Sequence, residues 1–207
     1  MIAIVDYGVG NLFSLRSSFK AIGADAVFTS DEKIIRNADR ILLPGVGAFE
    51  DAADKLKNTG LGELVVSEVK NGKPLLGICL GMQLLFEKSF EFGCFDGLSL
   101  IPGNIVSFEG KINNELKIPE IGWNNLKLNK SDSVLYEGFS GGEFVYFVHS
   151  YFAECDSKFA SAYSEYDIDF PASVEYENVF GCQFHPEKSG KVGLKILDNF
   201  CKAGFGL

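Results

Sequence analysis

The chain has 207 residues, 46% of them hydrophobic, so it can bury a substantial core as one domain over residues 1–207. Its 19 basic and 28 acidic residues give a net charge of −9 without a basic stripe, which argues against a nucleic-acid partner. The longest apolar stretch, residues 75–86, is interrupted by Gln83 and is shorter than the roughly 20 residues that span a bilayer. The amino terminus, MIAIVDYG, has no basic region, so it predicts a core strand rather than a signal peptide. We therefore expect a soluble, cytoplasmic protein that contacts no membrane.

Strands and helices alternate in the first half of the chain. The apolar segment IAIVD, residues 2–6, predicts a strand, and apolar residues then recur at helical spacing from Leu12 until Gly23 ends the helix. The turn at residues 8–11 is not a dinucleotide-binding motif, because Phe13 stands where the third glycine should be. Further strands are predicted at 26–29, 40–43 and 75–78, and helices at 48–57 and 63–70. The wholly apolar strand at 75–78 is typical of a parallel sheet covered on both faces, as in doubly wound α/β proteins.

The second half is richer in strands and turns. Strands are predicted at 105–108, 123–128, 144–152, 160–165, 172–176 and 180–184, followed by a final helix at 192–202. No low-complexity linker or internal repeat separates the halves. The sequence therefore predicts a single α/β domain with a central mixed, mostly parallel sheet flanked by helices.

The cysteines favour reduced thiols. Their number is odd, their spacing is irregular and no CxxC pair occurs; they are Cys79, Cys94, Cys155, Cys182 and Cys201. Only two histidines, His149 and His185, are present, which argues against a Cys/His metal site. We expect neither a metal nor a cofactor.

Cys79 lies in the segment GICLG, between a predicted strand and a predicted amphipathic helix. A nucleophile at such a turn is held in a strained backbone with its reactive atom exposed, and small neighbours prevent collisions. The start of the helix adds positive partial charge, which favours a thiolate. The alternative is that Cys79 is a small buried core residue.

A cysteine nucleophile needs a base, and FHPEK offers His185 and Glu187. Two residues apart in an extended segment, their side chains should point to the same face, so that Glu187 orients the imidazole. Pro186 suits the end of a strand. A solvated surface pair is the alternative, but together with Cys79 the pair predicts a Cys-His-Glu triad.

Two further segments are candidates for contacts near Cys79. The turn PGVG, residues 44–47, offers backbone N–H groups that could form an oxyanion hole with the N–H of Leu80, although in isolation it is only a loop. If the helix after Cys79 continues, Gln83, Glu87 and Glu91 follow the cysteine along one face at four-residue spacing. An amide and a carboxylate there would suit an amino-acid substrate, whereas a solvated helix face is the alternative, especially for Glu87.

Several motifs now resemble one family. The segments PGVGAF, GICLGMQLLFE, PEIGWN, YFVHSY and FHPEKS have the order and spacing of class I (triad) glutamine amidotransferases. The opening DYGVGN and the GWN segment make the chain similar to the glutaminase subunits of imidazole glycerol phosphate synthase within that family. The resemblance spans nearly the whole chain and implies the flavodoxin-like fold of these enzymes.

The resemblance also implies roles for particular residues. Cys79 would attack the side-chain amide of glutamine, with His185 as base and then acid and Glu187 orienting it. Val46, Gly47 and Leu80 would serve the oxyanion. The positions that match glutamine-binding residues are Gln83, Glu91, Ser150 and Tyr151.

Family members release ammonia into a dry passage, because ammonia freed into neutral water would be protonated. The resemblance implies a heterodimer with a (β/α)8-barrel cyclase subunit that makes imidazole glycerol phosphate and an aminoimidazole carboxamide ribotide in histidine biosynthesis. Trp123, Tyr146 and Lys188 match positions at the subunit interface or the ammonia entrance.

One position departs from the family pattern. Glu120 precedes IGWN where a histidine is usual, so that the partner or its acceptor could differ if this position lies near the barrel. The alternatives are a barrel paralogue that amidinates a surface sugar, a catalytically silent scaffold subunit and a stand-alone thiol hydrolase. The intact triad residues argue against the silent subunit, and the interface residues argue against the stand-alone hydrolase.

Overall fold

The first half of the chain alternates strands and helices in the computed structural model, which describes residues 1–9 and 12–204. The strands are β1 (Ile2–Val5), β2 (Ala26–Thr29), β3 (Arg40–Leu43) and β4 (Leu75–Ile78). The helices are α1 (Leu12–Ala21), α2 (Glu32–Asn37), α3 (Phe49–Asn58) and α4 (Leu61–Lys70). All these elements except α2 were predicted within two residues at each boundary, while the predicted turn at 8–11 lies partly outside the described residues. The short α2 has only two adjacent apolar residues, which give no helical periodicity.

The second half contains ten strands and two helices among the described residues. The strands are β5 (Phe86–Ser89), β6 (Phe95–Asp96), β7 (Ile101–Ser107), β8 (Glu120–Asn125), β9 (Lys127–Leu128), β10 (Phe144–His149), β11 (Tyr151–Glu154), β12 (Ala160–Tyr166), β13 (Ile168–Tyr176) and β14 (Val179–Cys182). A short helix α5 (Leu80–Gln83) follows β4, a 3-10 turn (Pro186–Lys188) follows β14, and α6 (Gly190–Lys202) closes the fold.

Several sequence expectations for this half were wrong in detail, and the strands predicted at 105–108 and 172–176 begin four residues earlier, at Ile101 and Ile168. The helix after Cys79 does not continue to residue 91, because α5 ends at Gln83 and Glu87 lies in β5. The single strand predicted at 144–152 is two strands that belong to different sheets and are separated by Ser150. The strand predicted at 123–128 is also two strands, and the one predicted at 180–184 ends at Cys182.

The central sheet has eight strands in the order β2-β1-β3-β4-β14-β13-β12-β9. Neighbours are parallel from β2 to β14 and antiparallel from β14 to β9. This confirms the predicted mixed, mostly parallel sheet. The last parallel strand, β14, arrives from a hairpin with β13, so the parallel and antiparallel parts meet there.

The pairing of β14 with β4 brings the residues that follow these two strands close together. Cys182 is in register with Ile78, and the N–H of Cys79 donates to the carbonyl oxygen of Cys182 at 2.7 Å. Because the two strands are parallel, their carboxyl ends reach the same edge of the sheet. The residues after Ile78 and after Cys182 are therefore neighbours although they are about 100 positions apart in sequence.

Two smaller sheets complete this edge. Strands β10 and β8 form an antiparallel ribbon in which Tyr146 lies opposite Trp123 and His149 lies opposite Glu120. A four-stranded sheet in the order β11-β7-β5-β6 begins at Tyr151. The ribbon is hydrogen-bonded to the segment that follows β14, because the N–H of His185 donates to the carbonyl oxygen of Tyr146 at 2.9 Å.

The hydrophobic core lies on both faces of the central sheet. Alternate residues of β1 point to opposite sides: Ala3 packs in a cluster with residues of α3 and α4, and Ile4 packs in a second cluster with residues of α1 and α6. This two-sided covering explains why the parallel strands are apolar throughout. Among residues 1–9 and 12–204, none of the helices has both the length and the apolar character needed to cross a membrane.

Candidate active site

Cys79 occupies a sharp turn between β4 and α5. Its backbone has φ 54° and ψ −114°, a conformation that is costly for a residue with a side chain and is held by surrounding structure. Its side chain is 8% exposed and faces a cavity. The geometry is the strained strand-to-helix turn that the sequence predicted for a nucleophile.

The two glycines of GICLG are required by close packing. A side-chain carbon added at Gly81 would overlap the carbonyl oxygen of Leu43 in β3, and one added at Gly77 would lie 2.6 Å from the carbonyl oxygen of Gly81. Neither position has room for a methyl group. The tight turn that presents Cys79 therefore depends on both glycines.

His185 and Glu187 form a buried hydrogen-bonded pair beside Cys79. The Nδ1 atom of His185 lies 2.8 Å from Oε1 of Glu187, and both side chains are almost completely buried. His185 has an extended backbone, but Glu187 lies in the 3-10 turn rather than in the extended segment that was predicted. The other ring nitrogen, Nε2, is buried and has no hydrogen-bond partner among the described residues, so it remains available for proton transfer.

The electrostatic setting favours a charged imidazole. Burial alone lowers the pKa of His185, but the interactions with Cys79 and Glu187 together outweigh it and raise the pKa from 6.5 to about 9. The ring is then protonated at neutral pH. A positive imidazolium beside the sulfur favours the thiolate, which is the nucleophilic form of cysteine.

A cavity of about 280 Å³ opens in front of these groups. It brings together nine of the predicted site residues: Val46, Gly47, Cys79, Leu80, Gln83, Glu91, Ser150, Tyr151 and His185. Pro119, Val148 and His149 complete its lining. Glu187 lies behind His185. In the described part of the chain, no three His, Cys, Asp or Glu side chains converge to hold a metal ion, and all five cysteines carry free thiols.

Gln83 and Glu91 reach the cavity by different routes. Gln83 lies on α5, whereas Glu91 follows β5 in a loop, and its Oε2 accepts the N–H of Phe49 at 2.7 Å. Burial raises the pKa of Glu91, and the hydrogen bond from Phe49 opposes this effect. Burial, followed by the negative charge of Glu91, also raises the pKa of Tyr151. The lining of the cavity thus includes both a carboxylate and the thiol.

Glu120 points into the molecule. It is 4% exposed, and its Oε2 lies 3.0 Å from Nε2 of His149, which is 6% exposed. Nδ1 of His149 lies 2.9 Å from the carbonyl oxygen of Tyr151. The unusual acid therefore forms a buried pair behind the cavity wall and does not alter the outer surface of the β8–β10 ribbon.

The outer face of that ribbon carries two of the three predicted interface residues, Trp123 and Tyr146, and the third, Lys188, extends from the 3-10 turn over the Tyr146 ring. The Trp123 and Tyr146 rings are in edge contact with centroids 6.1 Å apart, and Nζ of Lys188 lies 5.5 Å from the centre of the Tyr146 ring. Trp123 is 56% exposed, and Ile121 and Phe144 beside it are 63% and 57% exposed. Together these five residues form an apolar surface with one positive charge, which we call the ribbon surface.

Sequence reasoning missed several residues near Cys79. Gln183 is fully buried, and its Nε2 lies 4.0 Å from the sulfur of Cys79. Burial, followed by the nearby Cys79, raises the pKa of Tyr7, whose hydroxyl donates to the carbonyl oxygen of Pro44. The position of Gln183, two residues before His185 in an extended segment, was the available signal, because such residues point to the same side.

The profile of the family "Glutamine amidotransferase class-I" matches residues 3–203. The chain therefore belongs to the class I glutamine amidotransferase family.

Within this family, the chain is similar to particular curated proteins. It is 52% identical to imidazole glycerol phosphate synthase subunit HisH of Caldanaerobacter subterraneus subsp. tengcongensis, with 97% of each chain covered. It is 48% identical to the HisH subunit of Archaeoglobus fulgidus, again with 97% of each covered. The solved structure of PurLQS from Thermotoga maritima has the same fold, with a TM-score of 0.75, 20% identity and 96% of each chain covered.

Proposed function

We propose that this chain is the glutaminase subunit of an imidazole glycerol phosphate synthase. It hydrolyses L-glutamine to glutamate and ammonia and passes the ammonia to a cyclase subunit. The observation that carries the proposal is the buried His185–Glu187 pair beside the strained Cys79 turn, in a chain 52% identical to a HisH subunit. The reaction proposed needs no cofactor.

In the first half-reaction, the Cys79 thiolate attacks the side-chain amide carbon of glutamine. The negative charge that develops on the amide oxygen is stabilised by backbone N–H groups of Val46, Gly47 and Leu80, which line the cavity. The protonated Nε2 of His185 gives its proton to the departing nitrogen, so that ammonia leaves and a γ-glutamyl thioester remains.

In the second half-reaction, neutral His185 removes a proton from a water molecule, and the resulting hydroxide attacks the thioester. The carbon–sulfur bond breaks, glutamate leaves, and the Cys79 thiolate and protonated His185 are restored. Glu187 accepts the Nδ1–H of His185 throughout and so keeps Nε2 directed at the substrate.

Glutamine is held by other residues that line the cavity. The carboxylate of Glu91 offers a partner for the substrate ammonium group, and Gln83, Ser150 and Tyr151 offer hydrogen bonds to the rest of the molecule. This arrangement places the side-chain amide of the substrate next to the sulfur.

The partner is a (β/α)8-barrel cyclase subunit that docks on the ribbon surface. Exposed large apolar side chains are concentrated there, as at protein interfaces, and Lys188 directly follows the catalytic turn residue Glu187. The ammonia formed at Cys79 would have to leave the cavity without entering bulk water. A docked partner over this edge of the sheet provides that dry passage.

Replacement of the sulfur tests the proposal. We expect Cys79→Ala to abolish glutamine-dependent synthesis of imidazole glycerol phosphate in the complex but to leave synthesis from ammonium salts unchanged, because the cyclase reaction needs only ammonia. Both rates are measured with the cyclase subunit present. Cys94→Ala, at an exposed cysteine, is the matched control and should retain both activities. Glutamine turnover by Cys79→Ala would refute the assignment of the nucleophile.

A further inference from the structure

We propose that Gln183 is a further catalytic residue, whose side-chain N–H donates to the sulfur of Cys79 and stabilises the thiolate. We propose further that Gln83 and the main-chain carbonyl of Tyr151 fix the orientation of this amide. The inference rests on the proposed function, in which Cys79 is the nucleophile. Gln183 directly follows β14 and would act on the nucleophile rather than on the substrate.

The contact with the sulfur is direct. Nε2 of Gln183 lies 4.0 Å from Sγ of Cys79, and the side chain is completely buried. At this distance a neutral thiol is held only weakly, but a donor facing an ionised acceptor gains strength and shortens the contact. Gln183 is shielded from solvent, so its hydrogen bond to the sulfur counts for more than it would at the surface.

Cys79 affects the pKa values of two titratable neighbours, His185 and Tyr7. His185 supplies positive charge. The hydroxyl of Tyr7 already donates to the carbonyl oxygen of Pro44 at 2.7 Å, so its proton is not directed at the sulfur. Gln183 is an uncharged side-chain donor to the sulfur of Cys79.

The orientation of the Gln183 amide follows from its neighbours. A main-chain carbonyl only accepts hydrogen bonds, so Gln83, whose Nε2 lies 3.0 Å from the carbonyl oxygen of Tyr151, must present its NH₂ group there. The same Nε2 lies 3.1 Å from Oε1 of Gln183 and gives its second hydrogen to that oxygen. Gln183 therefore has its oxygen occupied, and its own NH₂ group faces Cys79.

A reversed amide is excluded by the same reasoning. If Gln183 were flipped, its oxygen would face the thiolate and its NH₂ group would face the NH₂ group of Gln83. Both contacts would be repulsive. The carbonyl oxygen of Tyr151 therefore determines the orientation of both side-chain amides, Gln83 and Gln183.

The carbonyl of Tyr151 is itself held by a second donor. Nδ1 of His149 lies 2.9 Å from it and must carry a hydrogen, because a carbonyl cannot donate. The other nitrogen of His149 pairs with Glu120, whose second oxygen accepts from Nδ2 of Asn124 at 2.9 Å. A continuous series of hydrogen bonds thus joins the β8–β10 ribbon to the catalytic sulfur.

The test compares Gln183→Met, which has a similar volume but no donor, with Gln183→Glu, which places a carboxylate near the sulfur. Alkylation of Cys79 by iodoacetamide is followed as a function of pH in the full chain, with mass spectrometry of the Cys79 and Cys94 peptides. We expect the pH of half-maximal Cys79 alkylation to rise by about half a unit to one unit in Gln183→Met and by more in Gln183→Glu, because the thiolate loses its donor. The profile of Cys94, which is exposed, should not move.

Steady-state kinetics in the complex provide a second measurement. We expect kcat for glutamine to fall about tenfold in Gln183→Met, with KM nearly unchanged, because the donor acts on the nucleophile and not on the substrate. If Gln183→Met does not fold, Gln183→Asn, which withdraws the amide by one methylene, should shift the alkylation profile in the same direction.

An unchanged Cys79 alkylation profile in a folded Gln183 variant would overturn the inference. Alkylation requires neither glutamine nor a partner, so this outcome is independent of the glutaminase assignment. That assignment is decided separately by Cys79→Ala.

Discussion

Glu187 makes its contribution through a single contact. Its Oε1 accepts from His185, whereas Oε2 is buried and has no hydrogen-bond partner among the described residues. Burying a carboxylate with so few partners costs free energy, and the cost is offset here by the charge on the imidazole. Glu187 is thus placed where it stabilises the charged form of His185 rather than the fold of the turn.

Glu187→Gln should lower the pKa of His185 from about 9 toward its ordinary value of 6.5, since the amide keeps the shape but loses the charge. NMR titration measures this directly, because the chain has only two histidines. We expect kcat for glutamine to fall roughly ten-thousandfold, by analogy with the loss of the orienting acid in a serine triad. Glu63→Gln, at an exposed helical acid, is the control.

The same change has a defined effect on stability. The pKa of His185 is higher in the folded protein than its ordinary value of 6.5. The charged imidazole therefore stabilises the fold fully below pH 6.5, and this contribution is lost as the pH rises through about 9. The difference in the free energy of unfolding between the wild type and Glu187→Gln should therefore be larger at pH 6 than at pH 9 in denaturant titrations. A difference that grew with pH would contradict the charged imidazole.

At the scale of elements, the 3-10 turn at Pro186–Lys188 is held between β14 and α6. The N–H of Gly193 in α6 donates to the carbonyl oxygen of Ser189, and a side-chain carbon at Gly193 would overlap the carbonyl oxygen of Pro186. The first turn of α6 therefore lies directly against the turn that carries Glu187. The position of the acid depends on a helix that makes no contribution to the chemistry.

Gly193→Ala should destabilise the protein by about 1–3 kcal/mol and lower kcat, although alanine normally favours a helix over glycine. The methyl group must push the 186–188 turn away from α6. Thermal unfolding and glutamine kinetics measure the two effects. Gly62→Ala in α4 is the matched control, because its nearest neighbour is the flexible Leu98 side chain at 3.3 Å, and we expect a change within about 1 kcal/mol. Equal behaviour of the two variants would refute the packing of α6 against this turn.

The sequence predicted some of these elements better than others. Strands buried on both faces, such as β4, were predicted correctly, because a continuous apolar run has few alternatives. The length of α5 was not, since the apolar residues after Gln83 fit a helix and a strand equally well. The meeting of His185 and Glu187 was expected, but the 3-10 turn that produces it was not.

At the scale of the whole molecule, the catalytic groups and the ribbon surface share one edge of the sheet. Cys79 follows β4, His185 follows β14, and β10 is hydrogen-bonded to His185 through the carbonyl of Tyr146. The resemblance predicted Trp123, Tyr146 and Lys188 near a partner. Ile121 and Phe144 were not foreseen, because alternation along a strand does not reveal which face is left uncovered.

Phe144→Asp tests the ribbon surface as the docking site. Burying a carboxylate in an apolar interface is costly, so we expect the cyclase subunit to bind at least tenfold more weakly, as measured by calorimetry. Glutamine turnover in the mixture should then fall toward the rate of the isolated chain, while cyclase activity with ammonium salts is unchanged. Tyr176→Asp is the matched control, since Tyr176 is 38% exposed and pairs with Val179, which in turn pairs with Leu75 at the start of β4, the end of that strand opposite to Cys79. If both variants bind the cyclase subunit as the wild type does, the partner docks elsewhere, and the ammonia path cannot begin at this ribbon.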